Sequence, residues 1–199
     1  MPDFRDLTLY VARHGETEHN VEARWTGRDD SHLTPRGRED ARRAGLTLKR
    51  CAGSLDDLDF VSSPLHRACV SMELLLEGAG VGRTCYRTDR RLMENDCGTW
   101  SSLSIHEIRD RFADHHAKRL NDEWNWSAPG GQSQAAQFIE VGAFLASLRR
   151  DSVLVCHGLT IRLIRAHVLA LAPSEALAFT LHDSGVLRFA RGKEEFLSA

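Results

Sequence analysis

The sequence predicts an α/β fold, with buried strands alternating with amphipathic helices, and three observations carry that prediction. The first is the run Leu7-Thr8-Leu9-Tyr10-Val11-Ala12, whose large apolar and β-branched residues suit a buried strand. The second is Ser152-Val153-Leu154-Val155-Cys156, a run of the same kind far along the chain. The third is that each run delivers a histidine and a glycine at its end, as Arg13-His14-Gly15-Glu16-Thr17 and as His157-Gly158. Open α/β sheets place ligands outside the carboxyl ends of their strands, so the fold class itself directs attention to these two histidines. Taken singly, a histidine at a strand end is more often structural than chemical.

The intervening elements follow in order. Residues 16 to 33 are polar and turn-rich, with Asn20, Thr26 and Gly27 among them, and read as an extended loop. Backbone amides near Gly15 and Gly27 can approach an anion closely there, because glycine removes the side-chain obstruction. Thr34-Pro35 pairs a capping hydroxyl with proline at the first helical position, which starts a helix running to about Arg50. Its Ala41, Ala44, Leu48 and Cys51 form the face toward the sheet, and Arg36, Arg38, Arg42 and Arg43 a solvated face without a catalytic role. Leu58 to Ser63 is a second strand, and Leu65 to about Glu77 a helix with Leu65, Ala68, Cys69, Met72, Leu75 and Leu76 at core-facing spacing. Arg67 then sits in that helix's first turn, where unpaired amides and a guanidinium both favour an anion; alone, it reads equally as a surface arginine in a weak ion pair.

Gly78 to Gly82 reads as a turn and Thr84 to Arg87 as a short strand. From Leu92 to Gly131 the pattern is least regular, with a helix from about Ser104 to Leu120, and this segment reads as an excursion covering the active face. It carries Glu94, which by itself is one more carboxylate of the kind usually exposed. Gln132-Ser133 opens an amphipathic helix to about Arg149. After the strand at 152–156 come a nearly all-apolar helix from Thr160 to about Leu171, a short helix near Pro173, and a last strand, Val186 to Phe189, placed at an edge.

Composition bounds the function. The 199 residues suit one unit spanning 1–199, large enough for a substantial core. The formal charge of −2 provides no field for nucleic acid and no basic surface for a membrane, so an anionic ligand has to be drawn by local arginines. No apolar run reaches spanning length and the first residues lack a signal peptide's apolar core, so a cytoplasmic location is expected. Five cysteines without a Cys-x-x-Cys pair argue against a disulfide framework or a zinc site and are expected to be reduced and mostly buried.

Two strand-end histidines, two arginines beside them and a carboxylate on a nearby excursion together suggest phosphoryl transfer. A phosphate dianion needs convergent donors, and the charge spreading over its oxygens is best met by fixed cations. A neutral imidazole can attack phosphorus, and neighbouring guanidiniums disfavour the competing imidazolium. The departing alkoxide then needs a proton, which Glu94 can supply.

The ordered set Arg13-His14-Gly15-Glu16-Thr17 with Asn20, Thr26-Gly27, Leu33-Thr34 and Gly37, Ser62-Ser63-Pro64-Leu65-His66-Arg67-Ala68, Glu94 with Gly98 and Trp100, Pro129-Gly130-Gly131, and Cys156-His157-Gly158 with Arg162 resembles the histidine phosphatase superfamily. The branch is that of the cofactor-dependent phosphoglycerate mutases and their phosphatase relatives. The resemblance implies a three-layer α/β/α sandwich with a mostly parallel central sheet. It implies His14 as the nucleophile that becomes phosphohistidine, with Arg13, Arg67 and His157 binding the transferred group and Glu94 as proton donor. Asn20 adds a phosphate contact, Thr26 and Gly27 match positions touching substrate in mutase-like members, and neither metal nor other cofactor is implied.

The family pattern is departed from in three places. Trp100 is followed by Ser101-Ser102 instead of Glu-Gly, Gln132 replaces a glutamate after Pro129-Gly130-Gly131, and Leu159 stands where glycine is common. These are expected to bear on substrate fit, and the charge lost at Gln132 suits a more anionic substrate. Only 62 residues lie between Glu94 and His157, short for the enclosing excursion of a mutase, which favours a phosphomonoester hydrolase acting on a small phosphorylated metabolite. Thr26-Gly27 is the mutase-like feature that keeps phosphoglycerate mutase as the alternative. A non-catalytic phospholigand-binding protein is the third reading, opposed by the intact proton donor. Substrate identity and oligomeric state are not encoded in these motifs.

Overall fold

The computed structural model describes residues 3–82, 85–180 and 184–198. Its centre is one six-stranded sheet built from β1 (Leu9–Arg13), β2 (Asp59–Ser62), β3 (Arg87–Thr88), β4 (Ser152–Cys156), β5 (Val186–Ala190) and β6 (Lys193–Leu197) in the order β3-β2-β4-β1-β5-β6. The pairs β3·β2, β2·β4 and β4·β1 are parallel, while β1·β5 and β5·β6 are antiparallel. Register sets Arg13 beside Cys156, so the residues that follow, His14 and His157, leave adjacent strands at the same end. β5 is therefore an interior strand. The edge belongs to β6, for which the charged sequence Lys193-Glu194-Glu195 carries no apolar alternation.

Period-two alternation along each strand divides the core into two layers. Tyr10, Ala12, Phe60, Val153 and Val155 face α2 (Pro35–Cys51) and α3 (His66–Ala79) through Ala44, Leu48, Met72 and Leu75. Leu9, Val11, Val61, Leu154 and Cys156 face α6 (Gln134–Leu145) and α7 (Gly158–Leu169) through Val141, Phe144, Ile161 and Ile164. The result is the expected three-layer α/β/α sandwich with a mostly parallel sheet. Thr34 caps α2 by accepting from the Gly37 amide, with Pro35 in its first turn.

Several local expectations are corrected. The loop after His14 contains a short helix, α1 (Glu18–Val21), closed by a capping box between Thr17 and Asn20. The helix expected at 104–120 is two, α4 (Ile105–Arg111) and α5 (Ala113–Asn121), broken at Phe112, whose φ of −134° is not helical. The helix through Leu75 extends into the expected turn, to Ala79, and ends on Gly80 in the left-handed region at φ 77°. The short strand lies at Arg87–Thr88, later than expected, and Thr84 lies outside the described residues. The short helix α8 (Pro173–Leu177) forms where Pro173 starts it. The cysteines are free as expected, but of the five only Cys156 is buried; Cys51 and Cys85 are exposed. Among the described residues no helix is long and apolar enough to cross a membrane.

Candidate active site

His14 leaves β1 buried, 5% exposed, and its ring is oriented by the backbone. Nδ1 lies 2.8 Å from the Gly15 carbonyl, which can only accept, so the proton resides on Nδ1 and the lone pair on Nε2. The loop is held by a contact that only glycine permits. A Cβ at Gly15 would stand 2.0 Å from the Gly37 carbonyl oxygen, where the first turn of α2 packs against it. The Gly15 amide is not free for an anion, contrary to the sequence expectation, because it donates to Ser71 Oγ at 3.0 Å.

Arg67 projects from the first turn of α3 and is 1% exposed. Its Nη1 donates to the Asp29 carbonyl at 2.6 Å and Nη2 to the Gly27 carbonyl at 2.7 Å, while Nε points at His14 Nε2 from 3.4 Å. Gly27 thus fixes the guanidinium through its carbonyl. Its φ of +55° and its closeness to Cys97, 2.9 Å from a hypothetical Cβ, exclude a side chain there.

His157, at the end of β4, sits with its ring centroid 5.1 Å from that of His14. Its Nε2 lies 2.7 Å from Ser63 Oγ, and its Nδ1 is buried without a partner, as is Nε of Arg13. Burial, with Arg13 and Arg67 adding like-charge repulsion, holds His14 well below the ordinary histidine pKa; burial chiefly lowers His157 in the same way. Both rings are therefore neutral near pH 7. Glu94 Oε1 accepts from its neighbour's amide, Asn95 N–H, at 2.9 Å, and Oε2 accepts from the Leu159 amide at 3.2 Å.

These residues converge on one cavity of about 330 Å³, lined by Arg13, His14, Asn20, Thr26, Gly27, Arg67 and Glu94 among others, with His157 packed against His14. A second cavity of about 310 Å³ adjoins it at Arg13, His14 and Asn20, walled by Glu16, Arg36 and Asp40. Asn20 also closes the cap of α1, its Oδ1 accepting from the Thr17 amide at 3.1 Å. Chemically, the set joins an oriented neutral imidazole to two guanidiniums and a carboxylate. Among the described residues no three His, Cys, Asp or Glu side chains are grouped to hold a metal ion.

The family model described as histidine phosphatase superfamily (branch 1) matches residues 9–198. The chain belongs to this superfamily. It is similar to a 2,3-bisphosphoglycerate-dependent phosphoglycerate mutase of Methylorubrum extorquens strain PA1, at 36% identity over 125 residues, 63% of this chain and 58% of that protein. That match spans less than two thirds of the relative's length. It is similar along more of its length to a probable phosphoglycerate mutase GpmB of Salmonella paratyphi C, at 28% identity over 198 residues, 97% of this chain and 89% of that one. Among solved structures, a mycobacterial glucosyl-3-phosphoglycerate phosphatase aligns with a TM-score of 0.77 at 27% identity, covering 92% of this chain and 89% of that one.

Of the three departures from the superfamily pattern, only Leu159 lines the larger cavity. Gln132 lies outside it and accepts from Arg28 Nη2 at 3.0 Å, so its lost charge does not face the cavity. Ser102 is tied to the loop after α1, its amide donating to the Trp25 carbonyl at 2.6 Å and its hydroxyl lying 2.8 Å from Asp29 Oδ2. Sequence reasoning gave no role to Ser63, which orients His157, or to Asn95 and Gln134, which line the cavity. Ser63 was within reach, since it directly follows β2; Asn95 belongs to irregular backbone that no periodicity marks, and Gln134, the first residue of α6, reads in sequence as an ordinary polar helix start.

Proposed function

We propose that this superfamily member is a phosphomonoester hydrolase for a small phosphorylated metabolite, acting through a phosphohistidine at residue 14. In the first step His14 Nε2 attacks phosphorus, the bond to the ester oxygen breaks, and Glu94, entering protonated, delivers its proton to the departing alkoxide. In the second, Glu94 as carboxylate takes a proton from water while that oxygen attacks phosphorus; the N–P bond breaks and neutral His14 returns with inorganic phosphate. Arg13 and Arg67 carry the charge on the transferred oxygens, the unpartnered His157 Nδ1 gives a further contact, and Asn20, Thr26 and Gly27 border the substrate. The whole of 1–199 serves this one site, with residues 92–131 as its cover.

The observation that carries the reading is the fixed tautomer of His14, with its Nε2 lone pair turned toward the buried guanidinium of Arg67. Quenching turnover in alkali should trap a phosphate adduct by intact mass that His14→Ala lacks; an adduct persisting in the variant would refute the assignment. Turnover should be unaffected by chelators, since no step uses a metal. Mutase activity is the second reading, favoured by Thr26-Gly27 at the cavity wall and by the similarity to phosphoglycerate mutases. Interconversion of 2- and 3-phosphoglycerate would establish it.

A further inference from the structure

Beyond the groups assigned to phosphoryl transfer, the same cavity is lined by Arg24, Asn95, Arg119, Glu123, Gln134 and Arg162. Two of its guanidiniums, those of Arg24 and Arg119, are already paired with carboxylates. Arg24 pairs with Glu22 at 2.6 Å and with Glu107 at 3.1 Å. Arg119 pairs with Glu123 and lies over the Trp25 ring, 4.7 Å from its centroid. Arg162 donates Nε to the Phe179 carbonyl at 3.0 Å and lies in the field of the Glu94 and Glu123 carboxylates. At Arg24 and Arg119 a second phosphate or a carboxylate would have to compete with existing ion pairs, exchanging one pairing for another with little gain.

What the cavity lacks is partners for neutral groups. Asn95 Nδ2 and Gln134 Oε1 are both buried without a hydrogen-bond partner. The orientation of Gln134 is set by its Nε2, which donates to Glu123 Oε1 at 3.4 Å, leaving Oε1 as the unmet acceptor. Native structures leave few such atoms unpaired, and a ligand that pairs them recovers the cost of their burial. Both side chains line the cavity, and terminal carboxamide torsions are soft enough to turn toward a ligand there. One donor and one acceptor, both neutral, match hydroxyl groups.

Resting on the hydrolase reading above, we propose that the leaving group is an uncharged, hydroxyl-rich alcohol held by Asn95 Nδ2 and Gln134 Oε1. The preferred substrate is then a monophosphate of a neutral polyol, not a bisphosphate or a phosphorylated carboxylic acid. The test is steady-state kinetics of the full chain on a hexose monophosphate, a hexose bisphosphate, 3-phosphoglycerate and an aryl phosphate. The hexose monophosphate should exceed the bisphosphate and the phosphoglycerate in kcat/KM by about tenfold or more. Gln134→Leu, Asn95→Leu and the near-isosteric Asn95→Asp should each lower the hexose-to-aryl ratio of kcat/KM about tenfold, mainly through KM, as expected for losing one paired hydrogen bond. A merely structural role would reduce both substrates together and leave the ratio unmoved. Equal or better turnover of the bisphosphate or phosphoglycerate by the unaltered protein, or an unmoved ratio in folded variants, overturns this proposal while sparing the hydrolase reading. No turnover even of the aryl phosphate, with no trapped adduct, overturns that reading and this one with it.

Discussion

At the scale of single residues, the controlling fact is that His14 and His157 are kept neutral by burial beside arginines. For stability the sign is definite. The unfolded chain takes up a proton on each ring as pH falls through about 6.5, whereas the folded state resists it, so the unfolded state binds more protons and stability declines with falling pH. Urea midpoints should therefore hold steady above about pH 6.5 and drop below it, and His157→Gln should flatten that slope; an unchanged slope would contradict the assignment. The half-buried His167, lowered chiefly by burial, acts in the same direction and sets what remains. Catalysis gains from the same depression, since the acid limb of kcat/KM should lie below the ordinary histidine pKa. Glu94 makes a separate prediction. Glu94→Gln should cost alkyl phosphates about a hundredfold or more and aryl phosphates, whose leaving groups need no proton, far less. Equal losses would remove Glu94 from the acid role.

At the scale of elements, the site depends on a crosslink between two irregular segments. Arg28 donates Nε to the Glu94 carbonyl at 3.4 Å and Nη2 to Gln132 at 3.0 Å, and pairs with Asp96 at 3.4 Å. Its neighbours Gly27 and Asp29 meanwhile hold Arg67 by their carbonyls. One loop thus positions both the cation and the proton donor. Arg28→Met should lower kcat for alkyl phosphates about tenfold with a smaller effect on aryl phosphates, because a carboxyl displaced by a fraction of an ångström fails first where proton delivery matters. A uniform loss across leaving groups would mark Arg28 as structural only. This crosslink was not legible in the sequence, unlike β4, whose run Val153-Leu154-Val155-Cys156 is buried on both faces and so announces itself. The elements that escaped, β6 and the break at Phe112, are those where polar residues alternate with little burial or where local backbone geometry overrides helical spacing.

At the scale of the molecule, the proposed site is assembled from the ends of β1 and β4, the loop after α1, the first turn of α3 and the segment at Glu94, so ligand binding is coupled to the whole fold. His14, His157 and Arg67 were legible because each sits at a strand end or helix start, where sequence signals are strongest; Asn95, on irregular backbone, and Gln134, a polar residue in the first turn of α6, were not. The assembly carries a cost in the ligand-free state, since Nε of Arg13 and Nδ1 of His157 are buried without partners. A phosphate mimic that meets them should stabilise the protein by mass action: at a hundredfold excess over its Kd, vanadate should add about 2.7 kcal/mol. For a domain of this size that amounts to a rise in Tm of roughly 5–11 °C. Arg13→Met removes a partly buried cation whose buried Nε has no partner to strand, so it should leave the ligand-free Tm equal or higher while cutting the vanadate shift by half or more. Thermal unfolding with and without vanadate decides it: a variant that keeps the full shift, or that loses stability without ligand, would mean that Arg13 supports the fold and not the bound anion.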